Sequence, residues 1–127
     1  MLSAQGITAV DAAADYLGEL WKATLASLER ELGTIAVNGL PFRVVVTVPA
    51  MWSDAAKSRT LEAATKAGIA AKRMCGDTTL DLIPEPEAAA LATLASFRGR
   101  PNVLPNDVIT VCDCGGGTVV GNSFHEG

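Results

Sequence analysis

Val108-Ile109-Thr110-Val111-Cys112-Asp113-Cys114-Gly115-Gly116-Gly117-Thr118 (VITVCDCGGGT) is the stretch that decides the fold. The β-branched, apolar run from Asp107 to Cys112 reads as a strand. An acid follows it, three glycines turn the chain, and Thr118 opens another strand that runs to Phe124. Consecutive glycines let successive backbone N–H groups converge with no Cβ in the way, which is how a nest for phosphate oxygens is built. The Thr118 hydroxyl adds a donor. Asp113 is placed to hold Mg²⁺ through water, because that ion keeps several waters and takes one or two carboxylates. An ordinary glycine-rich hairpin turn fits the same residues, and the motif alone does not separate the two readings. No G-x₄-G-K-[ST] phosphate loop occurs in the chain.

Upstream lies Leu82-Ile83-Pro84-Glu85-Pro86-Glu87-Ala88-Ala89-Ala90-Leu91-Ala92-Thr93-Leu94. Thr79 to Ile83 reads as a short strand ended by Pro84. Glu87 to Phe97 reads as a helix, rich in the best helix formers. Pro86 suits the helix's first position, where its missing N–H is not needed. Glu85 therefore sits where a strand gives way to a helix, the place where functional groups gather in open α/β sheets. As a plain helix-start acid it would also suit the macrodipole.

A third stretch begins at Phe42 (FRVVVTV, to Val48) and reads as a buried strand stopping at Pro49. Ser53 then caps a helix that runs to about Ala67 and ends at Gly68. Before it, Val10, Ala14, Leu17, Trp21, Leu25, Leu28 and Leu32 recur every three or four residues. They form one stripe of an amphipathic helix over about residues 9–32. Thr8 and Asp11 have capping-box spacing, and Gly33 suits the position just past the helix end. Trp21 and Trp52 are expected as packing anchors. Strand–helix alternation implies a mainly parallel sheet with helices packed on it. The segment 98–106 is the one linker-like stretch.

The chain has 127 residues, room for one domain, with 49% apolar and 19% charged residues, a globular composition. Its net charge of −4 argues against a basic nucleic-acid platform. Uncharged stretches fall short of a membrane span, and the first residues lack the basic and apolar regions of a secretory signal. A cytoplasmic protein is expected. Three cysteines, Cys75, Cys112 and Cys114, suit a reducing compartment. Cys112 and Cys114 offer two ligands of the four that a zinc site needs, and His125 is the single histidine. The simpler expectation is that both thiols pack as small hydrophobes on one side of a strand, with His125 in a solvated tail.

The blocks VTVPAMWSDAAKSRTLEAATKAGI (46–69), LIPEPEAAALATL (82–94) and VITVCDCGGGT (108–118), in this order and spacing, resemble the nucleotide-binding domain of the seventy-kilodalton heat-shock (DnaK-type) chaperones. The likeness is strongest to the divergent, long-branch members of that family, within the actin-like ATPase superfamily, and spans about residues 8–120. It implies part of an actin-like (ribonuclease H-like) α/β domain with a mainly parallel sheet, flanking helices and a terminal glycine-turn hairpin. Residues 1–97 would be the second half of lobe I, 98–106 the lobe-crossing loop, and 107–127 the first hairpin of lobe II.

The resemblance also implies ATP or ADP with Mg²⁺ as cofactors and ATP hydrolysis as the activity. Gly115, Gly116, Gly117 and Thr118 match the hairpin that grips the β- and γ-phosphates. Asp113 matches the acid that positions Mg²⁺ and the attacking water, and Glu85 a second carboxylate near the metal. Pro49 matches the proline of an interlobe switch. Lys57 stands where the family has that proline's arginine partner; lysine keeps the charge but not the planar fork. Client proteins and co-chaperones are the implied protein partners. Three departures stand out: Val120 occupies the position of an acid, the family's earlier D-x-G-[ST] phosphate loop has no match, and neither does the lysine after it. They lead to the expectation that this chain alone does not hydrolyse ATP efficiently. The alternatives are a non-catalytic interaction module and a truncated product with no activity of its own.

Overall fold

The computed structural model describes residues 6–96, 106–114 and 119–125. The elements run α1 (Ala9–Leu32), α2 (Thr34–Asn38), β1 (Arg43–Val48), α3 (Asp54–Lys66), β2 (Lys72–Arg73), β3 (Gly76–Asp77), β4 (Thr79–Pro84), α4 (Glu85–Ser96), β5 (Val108–Cys114) and β6 (Val119–His125). The chain divides into two compact units, Met1–Val46 with Trp52–Leu82, and Thr47–Met51 with Ile83–Gly127.

The first unit is organised by α1. Its start is closed by the expected capping box: Thr8 Oγ1 accepts from the Asp11 N–H at 3.1 Å, and Asp11 Oδ2 accepts from the Thr8 N–H at 2.8 Å. Gly33 ends it at φ +86°, a backbone region that costs glycine little. The apolar stripe faces inward except at its end: Val10, Leu17, Trp21, Leu25 and Leu28 are half-buried and Ala14 is buried, while Leu32 is exposed. α3 packs against α1. It is capped by Ser53 Oγ, which accepts from the Ala56 N–H at 3.3 Å. Lys66, in the last turn of α3, pairs with Asp11 in the first turn of α1, so both charges also sit where the helix dipoles favour them.

An aromatic–cationic stack ties the rest of the unit to α1. The Trp21 ring meets the Phe42 ring edge-on, with centroids 5.8 Å apart and planes at 85°. The Arg73 guanidinium lies over the other ring, 4.0 Å from the Phe42 centroid, and donates to the Val37 carbonyl of α2. Trp21 is thus a packing anchor as expected. Trp52 is not, being 43% exposed.

β1 and β4 form a parallel pair, begun by the Thr79 N–H donating to the Phe42 carbonyl at 2.9 Å. Arg43 and Asp81 bridge the two strands at 2.9 Å. The remaining pairs, β2–β3 and β5–β6, are antiparallel hairpins. The described sheets are therefore three two-stranded pairs, not the mainly parallel sheet expected. Strands joined by a turn of a few residues can pair only antiparallel; parallel pairing needs a crossover such as α3.

Other expectations also need correcting. β1 was expected to be buried, yet it alternates exposed and half-buried residues and buries only Val48, because one neighbouring strand leaves its edge open. β4 includes Pro84, and α4 starts at Glu85, two residues earlier than expected. Pro84 ends a strand and Pro86 lies in a first helical turn, both positions that tolerate a missing N–H. β5 runs two residues further, to Cys114, because Asp113 and Cys114 keep ladder partners in Val120 and Val119. His125 is a strand residue opposite Val108, not a tail. The short α2 and the β2–β3 hairpin carry no periodic signal and were not anticipated. The linker expected at 98–106 lies outside the described residues apart from Asn106, which has φ 76°, and so does Phe97.

The Lys66 ammonium, followed by hydrogen bonds from Thr8, holds the Asp11 carboxyl well below the usual carboxylate range. A carboxyl depressed in the folded state contributes stability above its unfolded value near pH 4, and loses it as pH falls through the folded value. Asp11→Asn should therefore melt below the unsubstituted chain at pH 7, and the gap should narrow steadily as pH falls below about 4. A gap that stays constant on acidification would contradict this. In a double-mutant cycle, Phe42→Leu and Arg73→Gln should show coupling of about 1 kcal/mol by chemical denaturation. Strict additivity would remove the stack from the account of stability.

Candidate functional site

The second unit holds three of the four described site residues that the sequence predicts. Pro49, just after β1, is half-buried; Glu85, the first residue of α4, is half-buried beside buried Pro86; Asp113 lies on β5. Lys57 lies on α3 in the other unit. Gly115, Gly116, Gly117 and Thr118 fall outside the described residues.

The β5–β6 hairpin has two different faces. The strands pair in continuous register from Val108↔His125 to Cys114↔Val119. Ile109 and Val111 of β5, with Phe124 and Asn122 opposite, are half-buried. α4 packs against both strands and accounts for that burial. Asp113 continues this face by strand alternation, and itself is exposed. Neither Glu85 nor Asp113 is joined to another side chain by a hydrogen bond or ion pair among the described residues. On the same face, Asn122 Nδ2 is buried with no acceptor among the described residues. A buried donor left unpaired is costly, and an anion or a metal-bound water would satisfy it. The residues present thus fit a hydrated cation with an anionic ligand. Asn122 was missed in the sequence because an asparagine near a glycine turn reads as turn chemistry.

The opposite face carries Thr110, Cys112 and Cys114, all exposed. Thr110 and Ser123 share a hydroxyl hydrogen bond at 3.2 Å, and the Cys112 and Cys114 sulfurs are 3.7 Å apart. The Cys112 thiol, as a hydrogen-bond partner, pushes the Cys114 thiol above its ordinary value. The two cysteines do share one side of the strand, but they do not pack as hydrophobes, because α4 covers the other face.

In the first unit, a groove of about 390 Å³ opens between α1 and α3, lined by Val10, Tyr16, Leu17, Trp52, Arg59 and Thr60 among others. Its signal in the sequence is the alanines at facing positions, Ala9, Ala13, Ala56 and Ala63, which are too small to fill the space between two helices.

The family model described as Hsp70 protein matches residues 22–120, which include Pro49, Lys57, Glu85, Asp113, Gly115, Gly116, Gly117 and Thr118. The chain belongs to the Hsp70 family. Among curated Hsp70 relatives, the chaperone protein HscA of Pectobacterium atrosepticum is 36% identical over 116 residues, covering 91% of this chain and 15% of that protein. The heat shock 70 kDa protein BIP3 of Oryza sativa subsp. japonica is 44% identical over 78 residues, 60% of this chain and 10% of its own length. The HscA of Pectobacterium carotovorum is 39% identical over 83 residues, covering 65% and 11%. The chain thus spans between a tenth and a sixth of the length of these Hsp70 relatives. No solved structure matches it. No described helix is long and apolar enough to cross a membrane.

Because the two carboxylates make no ion pair among the described residues, Glu85→Gln and Asp113→Asn should each change unfolding stability by less than about 0.5 kcal/mol. A loss above about 2 kcal/mol in either would mark that carboxylate as structural.

Proposed function

We propose that this chain supplies the phosphate- and Mg²⁺-binding side of an Hsp70-type nucleotide site. In this reading Gly115, Gly116 and Gly117 wrap the β- and γ-phosphates of ATP or ADP with backbone N–H groups, and the Thr118 hydroxyl adds one more donor. Asp113 and Glu85 hold Mg²⁺ through its water shell, and Asp113 also orients the attacking water. When bound, Mg²⁺ neutralises charge on the transferring phosphoryl group. Phosphoryl transfer rests on positioning and charge stabilisation, and neither carboxylate has a side-chain partner among the described residues.

The observation that carries the reading is the shared setting of Glu85 and Asp113. Both belong to the unit in which α4 packs on the β5–β6 hairpin, and the orphaned Asn122 amide lies on Asp113's side of that hairpin. Asn122 would donate to a phosphate oxygen or a metal-bound water. Pro49, in the same unit, would be the switch proline. ATP hydrolysis in the cytoplasm, coupled to client proteins and co-chaperones, is the reading for a longer Hsp70 of which residues 1–97, 98–106 and 107–127 form part of lobe I, the crossing loop and the first hairpin of lobe II. With no D-x-G-[ST] loop among its residues, this chain grips phosphate from one side, and it turns over ATP poorly alone.

Titration calorimetry of the chain with Mg-ATP and Mg-ADP tests this. Binding weaker than micromolar is expected, without turnover, and Asp113→Asn should weaken it by at least ~10-fold, about 1.4 kcal/mol. The Mg²⁺ requirement should fall in the same variant. Sub-micromolar binding with measurable hydrolysis would overturn the one-sided grip. Binding whose Mg²⁺ dependence is unchanged in both Asp113→Asn and Glu85→Gln would overturn the site.

A further inference from the structure

We propose that the groove between α1 and α3 binds an amphiphilic carboxylate, a medium-chain alkyl tail with one anionic head, and that Arg59 holds the head. The groove lies wholly within the first unit and measures about 390 Å³, an ordinary volume for a small-molecule site. Half-buried Val10, Leu17 and Ala56 line it, together with buried Ala63. The rings of Tyr16 and Trp52 also line it and stand 69% and 43% exposed. Two large rings left in water beside an open apolar slot are favourably covered by an alkyl chain, in proportion to the apolar area removed from water.

The polar groups of the lining select the head. Arg59 is the one charged residue lining the groove among the described residues. It makes no hydrogen bond or ion pair among them, and Asp11, the acid of the facing helix end, is taken by Lys66. The planar guanidinium fork matches the two oxygens of a carboxylate, and apolar surroundings strengthen the attraction. A single cation balances a single negative charge, which favours a carboxylate over a phosphate dianion. The Thr60 hydroxyl is already committed to the Ala56 carbonyl at 3.1 Å. The Tyr16 hydroxyl has no hydrogen-bond partner among the described residues and is the second donor available to a head group. None of these residues belongs to the phosphate and Mg²⁺ site proposed above, so either reading can fail while the other stands.

The test titrates the whole chain with octanoate, and with acetate and 1-octanol as probes that carry the head or the tail alone. One octanoate per chain is expected, with each control at least ~10-fold weaker. Tryptophan emission should shift to the blue on binding, and the shift should be lost in Trp52→Phe. Arg59→Gln should weaken octanoate at least ~10-fold and leave 1-octanol unchanged. Ala13→Leu places a larger apolar side chain at an exposed lining position. It should abolish binding of both compounds, with far-ultraviolet circular dichroism unchanged. Octanoate that fails to saturate, or that binds Arg59→Gln as tightly as the unsubstituted chain, would overturn the proposal. So would self-association of the ligand-free chain that Ala13→Leu removes, because the occupant would then be a second copy.

Discussion

The Arg73 guanidinium stacked on Phe42 is the contact on which the first unit depends. Four segments meet there: Trp21 of α1, Val37 of α2, Phe42 at the mouth of β1, and Arg73 of β2. With aromatics at 5% of the chain, few large rings exist to organise a core. Arginine compensates by laying a planar, weakly hydrated cation on a ring face while its edge donates to a carbonyl. α2 is also held by Val37, one of the most buried side chains described, and packs directly on α1.

Small side chains shape everything else. Of the seven buried apolar residues described, four are alanines: Ala14, Ala63, Ala64 and Ala90. Alanine lets helices come close but contributes little buried area, and dispersion contacts fall off steeply across any gap. The groove between α1 and α3 follows from this. So does the reliance on polar contacts at the edges: the Thr8–Asp11 capping box, the Lys66–Asp11 pair, and Arg43–Asp81 across β1 and β4. The last is well exposed, and exposed pairs contribute roughly 0–1 kcal/mol.

In the second unit, the pleat of one hairpin separates two kinds of chemistry. Alternate residues of β5 point to opposite sides, so Asp113 shares the α4 side with Asn122 while Cys112 and Cys114 share the open side. Much of this was legible beforehand. The Asp113 carboxylate, the glycine run after it, and Glu85 between two prolines announce themselves as residue types in positions where backbone geometry restricts them. That Cys112 and Cys114 share a side also follows from spacing alone. Which side is covered does not, because that depends on where α4 lies. Asn122 was illegible for the same reason: an orphaned donor is a property of its surroundings.

The sequence by itself determined α1, β1, α3, β4, α4 and the β5–β6 hairpin to within a few residues. Caps, prolines, glycines and apolar periodicity act through local backbone energetics, and local energetics are written in local sequence. It also carried enough of the Hsp70 pattern to point to the family. Only the tertiary structure decided the rest: that Arg73 is a core contact, that β1 is open rather than buried, that the thiol pair is exposed, and that Pro49, Glu85 and Asp113 share a unit which Lys57 does not. Each of these depends on contacts between residues far apart in the chain, and burial and partnership are set by such contacts, not by the identity of the residue that receives them.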